Sequence, residues 1–221
     1  MLRFFPNMNN INLQNIQTEL QRMPAALQKH IQTWKETLQR SSIEMQLISE
    51  LWCKILEHEA LLINAKTFRQ MRSKEQRMST LFRSLDKKQV VMQQLLTVLQ
   101  SCKLQVDSMR RRVRQWVQDD AIKTGYIVWE LTASMFLEFL EFFTLRFDYE
   151  WEIKEMVVLE LRRINSHYDL DILFLAWSEQ RHAGGSDFDQ QLKDFYKSVG
   201  VRPCRAVRNP IYNEDYNTEF H

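Results

Sequence analysis

The sequence is poor in everything that breaks a chain into short pieces. Its 221 residues include 4 Gly and 4 Pro. No Pro lies between Pro24 and Pro203, and no Gly precedes Gly125. Such sparse punctuation argues against a loop-rich fold and for long uninterrupted elements. Cysteine is scarce as well. Cys53, Cys102 and Cys204 are an odd, widely spaced set with no CxxC, which leaves no disulfide framework and fits reduced thiols in the nucleus or cytoplasm. No run of about 20 apolar residues exists, so no segment is expected to span a membrane. The aromatic-rich stretch 126–147 is itself interrupted by Glu130, Glu138, Glu141 and Arg146. The N-terminus MLRFFPNMNN passes into Pro and Asn after a very short apolar run, unlike a secretory signal.

Motifs of chemistry are lacking too. There is no P-loop, GxGxxG or GxSxG. The histidines His30, His58, His167, His182 and His221 form no HExxH, and none has a Cys or His at zinc-ligand spacing. His58, between Glu57 and Glu59, reads as an exposed helical residue. Asp169 and Asp171 read as one solvated face of a strand rather than an acid–base pair. No catalytic, cofactor-binding or metal site is expected, no cofactor and no small-molecule substrate, and the chain is not read as an enzyme.

What is present is a charge split and a long apolar repeat. Residues 1–118 hold 19 Lys+Arg against 9 Asp+Glu, a net of +10, whereas residues 119–221 hold 11 against 19, a net of −8. A basic half joined to an acidic half speaks of partners, not of fold. In the basic half Leu27, Ile31, Trp34, Leu38, Ser41, Met45, Ile48, Trp52, Ile55, Glu59 and Leu62 step by four and three throughout. Leu81, Leu85, Lys88, Met92, Leu95, Leu99, Cys102, Val106, Met109, Val113 and Trp116 repeat the pattern. Ladders sustained over about five heptads predict coiled coil over 24–118, following an N-terminal segment 1–23, with Pro24 in the first helical turn. Each rod needs cover for its stripe. Pairing with another chain, as a homo- or heterodimer, is favoured over a hairpin folded on itself.

The ladders are out of phase across NAKTFRQMRSKEQRMST (64–80). That stretch reads as either a hairpin loop or a stutter in one continuous helix, the continuous helix being preferred. Arg110, Arg111, Arg112 and Arg114 cluster at the end of the second ladder, where an anionic partner such as nucleic acid could bind, although a solvated helix face is the plainer account.

Beyond Asp119-Asp120 the pattern changes. TLRFDYEWEIK (144–154) places apolar residues at Leu145, Phe147, Tyr149, Trp151 and Ile153, an alternation that predicts a half-buried strand. Residues 126–143 fit either a helix, with Ile122, Tyr126, Trp129, Ala133, Phe136, Leu140, Phe143 and Phe147 as its seam, or strands, with 126–131 leaning towards strand. Residues 155–166 fit a strand or a short helix, and HYDLDILFLAWSEQ (167–180) predicts a central strand. A helix follows, capped by Ser186, with Phe188, Leu192, Phe195 and Val199 on one face and Gly200 as its stop. Residues 121–200 thus read as a small α+β head of antiparallel strands with a closing helix. Trp129, Phe136, Phe147, Trp151, Phe174 and Trp177 are its expected core. An elongated all-helical bundle is the alternative. The tail 201–221, with Tyr212, Tyr216 and Phe220, reads as extended; a linear docking motif is one account of it and an ordinary frayed terminus the plainer one.

The two ladders, the FFTLRFDYEWEI stretch and the SDFDQQLKDFYKSV helix together resemble the layout of small kinetochore and monopolin-type subunits. Those proteins join a dimerising coiled coil to a C-terminal RWD-like head. The resemblance implies a non-catalytic subunit of a multi-protein assembly in kinetochore, spindle or chromosome organisation. The competing readings are a nucleic-acid-associated protein using the basic rod and a coiled-coil trafficking or tethering subunit.

Overall fold

A computed structural model of the chain describes residues 8–63 and 67–200, apart from the side chains of residues 8–12, 62, 63 and 68. The expected tail 201–221, the first residues of the N-terminal segment and the ladder side chain Leu62 lie outside the described residues. Helices α1 (Met8–Ile63) and α2 (Phe68–Trp116) are followed by a single turn, α3 (Asp120–Lys123), and a small hairpin of β1 (Tyr126–Val128) and β2 (Leu131–Thr132). Then come α4 (Ala133–Glu160), α5 (His167–Ser178) and α6 (Gly185–Ser198). The fold is mostly α, and its only sheet among the described residues is this antiparallel pair.

The stretch 64–80 does not continue one helix. Thr67 ends the link by capping α2, its hydroxyl accepting from the Gln70 amide at 3.3 Å, and the rest of the stretch belongs to α2. The two rods therefore turn back on each other as an antiparallel hairpin, with Lys88 meeting Glu44 at 2.9 Å. The helix also begins well before Pro24, which lies inside α1. An internal proline costs about 3 kcal/mol. Burial of Leu20 and Met23, with Leu13 and Ile16 packed partly buried beside them, offsets it at about 1.5–3 kcal/mol for each fully buried side chain.

The largest correction concerns residues 144–154, which are helical. They lie in α4, started by Thr132, whose hydroxyl accepts from the Met135 amide at 3.2 Å. Residues two apart in a helix differ by about 200° around its axis. Strict alternation therefore describes a helix with apolar residues on two opposite sides as well as it describes a strand. Phe147 points into the core, while Leu145 and Tyr149 point out and are exposed. Residues 155–160 complete the same helix.

The expected central strand at 167–180 is also a helix, α5. Ser166 caps it by accepting from the Asp169 amide at 3.1 Å, and Asp169 accepts in turn from the Asn165 amide at 3.1 Å. This is close to a reciprocal capping box. Leu170, Leu173 and Trp177 are its buried face. The lean towards strand at 126–131 is realised as the two short strands β1 and β2. The terminal helix is found with its expected face, Phe188, Leu192, Phe195 and part-buried Val199. Its N-cap is Gly184 instead of Ser186, without a side-chain hydrogen bond.

α4 lies along the hairpin as a third long helix, and no boundary in the packing falls near residue 120. One apolar cluster joins Leu27, Ile31, Trp34 and Leu38 to Leu99–Val113 of α2, the first half of α4, and Phe188, Leu192 and Phe195 of α6. A second joins Met45, Ile48, Trp52 and Ile55 to Leu85–Leu96 of α2, the end of α4, and α5. Trp34 stacks on Phe147 with ring centroids 4.1 Å apart and planes 11° apart. The carbonyl of Leu161, just past α4, accepts from Trp52 Nε1 at 3.2 Å and Gln89 Nε2 at 3.1 Å. Both rods thus satisfy an acceptor that a helix end leaves open.

Candidate functional site

The two ladders offered as a partner-binding seam are interior. Leu27, Ile31, Trp34, Leu38, Met45, Ile48, Trp52 and Ile55 are buried, as are Leu85, Met92, Leu95, Leu99, Val106, Met109 and Val113. Leu81 and Trp116 are half-buried. The cover they need comes from each other and from α4, α5 and α6. Pairing with another chain through this seam is therefore corrected. A third helix, α4, which starts beyond the hairpin at Ala133, fills the groove that a second chain was expected to fill.

The arginine cluster lies at the surface and is paired within the chain. Arg110 and Arg111 both meet Asp107, each at 2.6 Å. Arg112 pairs with Glu19 and lies over the Trp116 ring. Arg114 pairs with Glu141 of α4. Each guanidinium faces a carboxylate of this chain, so the cluster does not present four open cations to an anion. Beside it, an open groove of about 500 Å³ runs between α1 and α2, lined in part by Thr18, Arg22, Met23, Gln105 and Met109. The Glu19–Arg112 pair lies in its wall.

The expected aromatic core divides. Phe136, Phe147 and Trp177 are buried, and Trp151 and Phe174 are half-buried. Trp129 is 73 % exposed at the β1–β2 turn with φ +46°, a left-handed conformation that disfavours a bulky residue. Cys102 is buried, which pushes its thiol above the usual range. His58 is half-buried, not exposed. Among the described residues no group of three or more His, Cys, Asp or Glu is placed to hold a metal. No helix there is long and apolar enough to cross a membrane.

Two features of α4 escape the strand reading. The first is a buried ion pair. Glu150 and Lys154 have side chains at 0 % exposure and meet at 2.8 Å. Lys154 Nζ also donates to the carbonyls of Ala176, Trp177 and Glu179 at 3.0, 2.7 and 2.9 Å. Glu150 Oε2 accepts from the His182 and Ala183 amides at 2.9 and 3.2 Å. Burial draws the Lys154 ammonium below the usual lysine range, while Glu150 opposes that. Every partner belongs to the chain, so the pair acts as a clamp. It fixes the end of α5 and the loop into α6, between the two apolar clusters.

The second is an exposed ladder. Met135, Glu138, Phe142, Leu145, Tyr149, Glu152, Met156 and Leu159 step by three and four along the outer side of α4. Leu145, Met156 and Leu159 are 51, 50 and 63 % exposed, and Tyr149 rests beside the His182 ring. The inner side of the same helix carries its own ladder: Phe136, Leu140, Phe143, Phe147, Glu150, Lys154 and Val157, continued by Leu161 just past its end, all buried. α5 likewise keeps Tyr168, Ile172 and Leu175 exposed. The outer ladder could have been found by counting 3–4 steps through 133–160 twice, once for each phase.

By fold the chain is a mostly helical bundle built on two apolar clusters, and among the described residues the outer side of α4 carries a largely exposed ladder. Comparison of its sequence with protein-family models and with curated proteins finds no match.

Proposed function

We propose that this chain is a non-catalytic adaptor subunit of a multi-protein assembly, engaging its partner through the outer side of α4. The observation that carries the reading is the ladder from Met135 to Leu159, exposed at Met135, Leu145, Tyr149, Met156 and Leu159 and half-buried at Phe142. Large apolar side chains repeated in register along one helix face are the usual preparation for another helix, and exposed apolar patches of this kind mark interaction sites. The ladders of α1 and α2 then serve as scaffold, rigidly presenting α4. A kinetochore or spindle setting is tied to a head of several strands. With α4 in place of those strands, the adaptor reading is made without that setting.

The test is the size of the native species. Tagged at its endogenous level, the chain should elute from cell extract well above the position of the purified chain alone. It should return to that position when the extract is taken to denaturing conditions and refolded in isolation. Elution of the whole cellular pool as free monomer would sink the adaptor reading.

A further inference from the structure

We propose that the outer ladder of α4 takes a basic amphipathic helix of a partner protein. The inference rests on the adaptor reading and adds the chemistry of the occupant. Its ground is the charge around the ladder. Glu138 and Glu152 occupy ladder positions themselves and are exposed. Glu155 flanks them, and among the described residues none of the three has a cation within ion-pair distance. Two further flanking acids, Glu141 and Asp148, lie seven residues apart and are shared with Arg114 and Lys103 of α2. The cations of the helix are already committed. Lys154 is buried with Glu150, and Arg146 lies over the Phe142 ring at 5.1 Å, 3.8 Å from Asp187. What remains for a partner is an apolar stripe with unpaired negative charge in it and beside it. From Met135 to Leu159 the stripe runs roughly 36 Å at about 1.5 Å per residue, long enough for more than three heptads.

Those charges select among occupants. A helix with apolar residues at 3–4 spacing and Lys or Arg at the flanking positions would cover the stripe and neutralise Glu138, Glu152 and Glu155 together. Flanking charges of this sort set partner choice in helix pairs. A second copy docking by the same face would oppose the acids of one chain to those of the other, and like charges held in register are unfavourable. An anionic lipid surface meets the same repulsion.

The probes are two fluorescein-labelled peptides of about four heptads, with Leu at every core position and either Lys or Glu at the flanking ones. Added to the purified full chain, the Lys peptide should bind roughly tenfold tighter than the Glu peptide by fluorescence anisotropy, and the gap should narrow as salt is raised. The triple variant Glu138→Lys, Glu152→Lys, Glu155→Lys should reverse the preference. The variant Leu145→Ser, Met156→Ser should lose roughly tenfold in affinity for the Lys peptide, with its circular dichroism and melting unchanged because both residues are exposed. Equal affinity for the two peptides overturns the proposal, as does binding indifferent to the Leu145→Ser, Met156→Ser change. So does a dimer of the chain dissolved by that change, which would make a second copy the occupant. Binding seen only after removal of residues 201–221 would make that segment the occupant and also overturn it. In cells, a Leu145→Ser, Met156→Ser chain that stays in its complex refutes the docking face and leaves the adaptor reading standing. A wild-type chain found in no complex removes the adaptor reading whatever the peptides do.

Discussion

A lysine with no exposed surface is tolerable only where acceptors replace its water, and Lys154 has three carbonyls and a carboxylate around it. Removing it leaves the Glu150 carboxyl buried without its cation, beside open carbonyls. Lys154→Met should therefore cost about 3–5 kcal/mol in urea unfolding. The double variant Lys154→Met, Glu150→Gln should recover part of that loss, since the neutral side-chain amide would still accept from the His182 and Ala183 backbone N–H groups. A double variant no more stable than Lys154→Met would show that the charge is not the source of the cost. Asp107 is a milder case. Burial pushes its carboxyl up, but Arg110 and Arg111 outweigh burial and hold it below its ordinary value of 3.8. A depressed carboxylate stabilises the fold above its unfolded-state value and loses that contribution as pH falls through its folded-state value. Asp107→Asn should cost less than about 1 kcal/mol at neutral pH, and the difference from wild type should vanish on acidification below that range.

Among the elements, α4 decides how the molecule is read. Leu145 and Phe147 would share a face in a strand, whereas in this helix they lie on opposite sides. Phe147→Asp should abolish cooperative unfolding, because it places a charge under the stacked Trp34 ring in a closed core. Leu145→Asp, at an exposed position, should change stability by no more than about 0.5 kcal/mol. Equal damage from the two substitutions, measured by thermal melts, would favour the strand. The alternation was legible in the sequence. Its meaning was not, because two opposed apolar faces on a helix and one on a strand write the same local pattern. α5 is different. Its Ser166–Asp169 cap is written in the sequence as Ser-x-x-Asp, a helix-start signal, whereas the strand expectation rested on the continuous apolar run Ile172–Leu175.

At the scale of the molecule, the basic and acidic halves are not separate modules. Lys103, Arg114 and Lys35 of the basic half meet Asp148, Glu141 and Asp189 of the acidic half, so the charge split is in part spent on holding the two together. Both apolar clusters also draw on both halves. A fragment ending at residue 118 should therefore lose its cooperative melt and self-associate through the uncovered ladders, as seen by circular dichroism and sedimentation. The full chain should sediment as a monomer at the same concentration. A well-folded monomeric fragment would mean that α4 is not part of the core the rods require.

The sequence alone determined the two rods α1 and α2, the residues of their apolar ladders and the closing helix of Phe188, Leu192 and Phe195. These follow from period, from the scarcity of Gly and Pro, and from local stops such as Gly200, which are properties of a chain segment taken by itself. Only the tertiary structure decided what covers the ladders and which side of α4 is left bare. Burial is a relation between segments distant in sequence, and an apolar stripe looks the same whether its own chain or another molecule is to cover it.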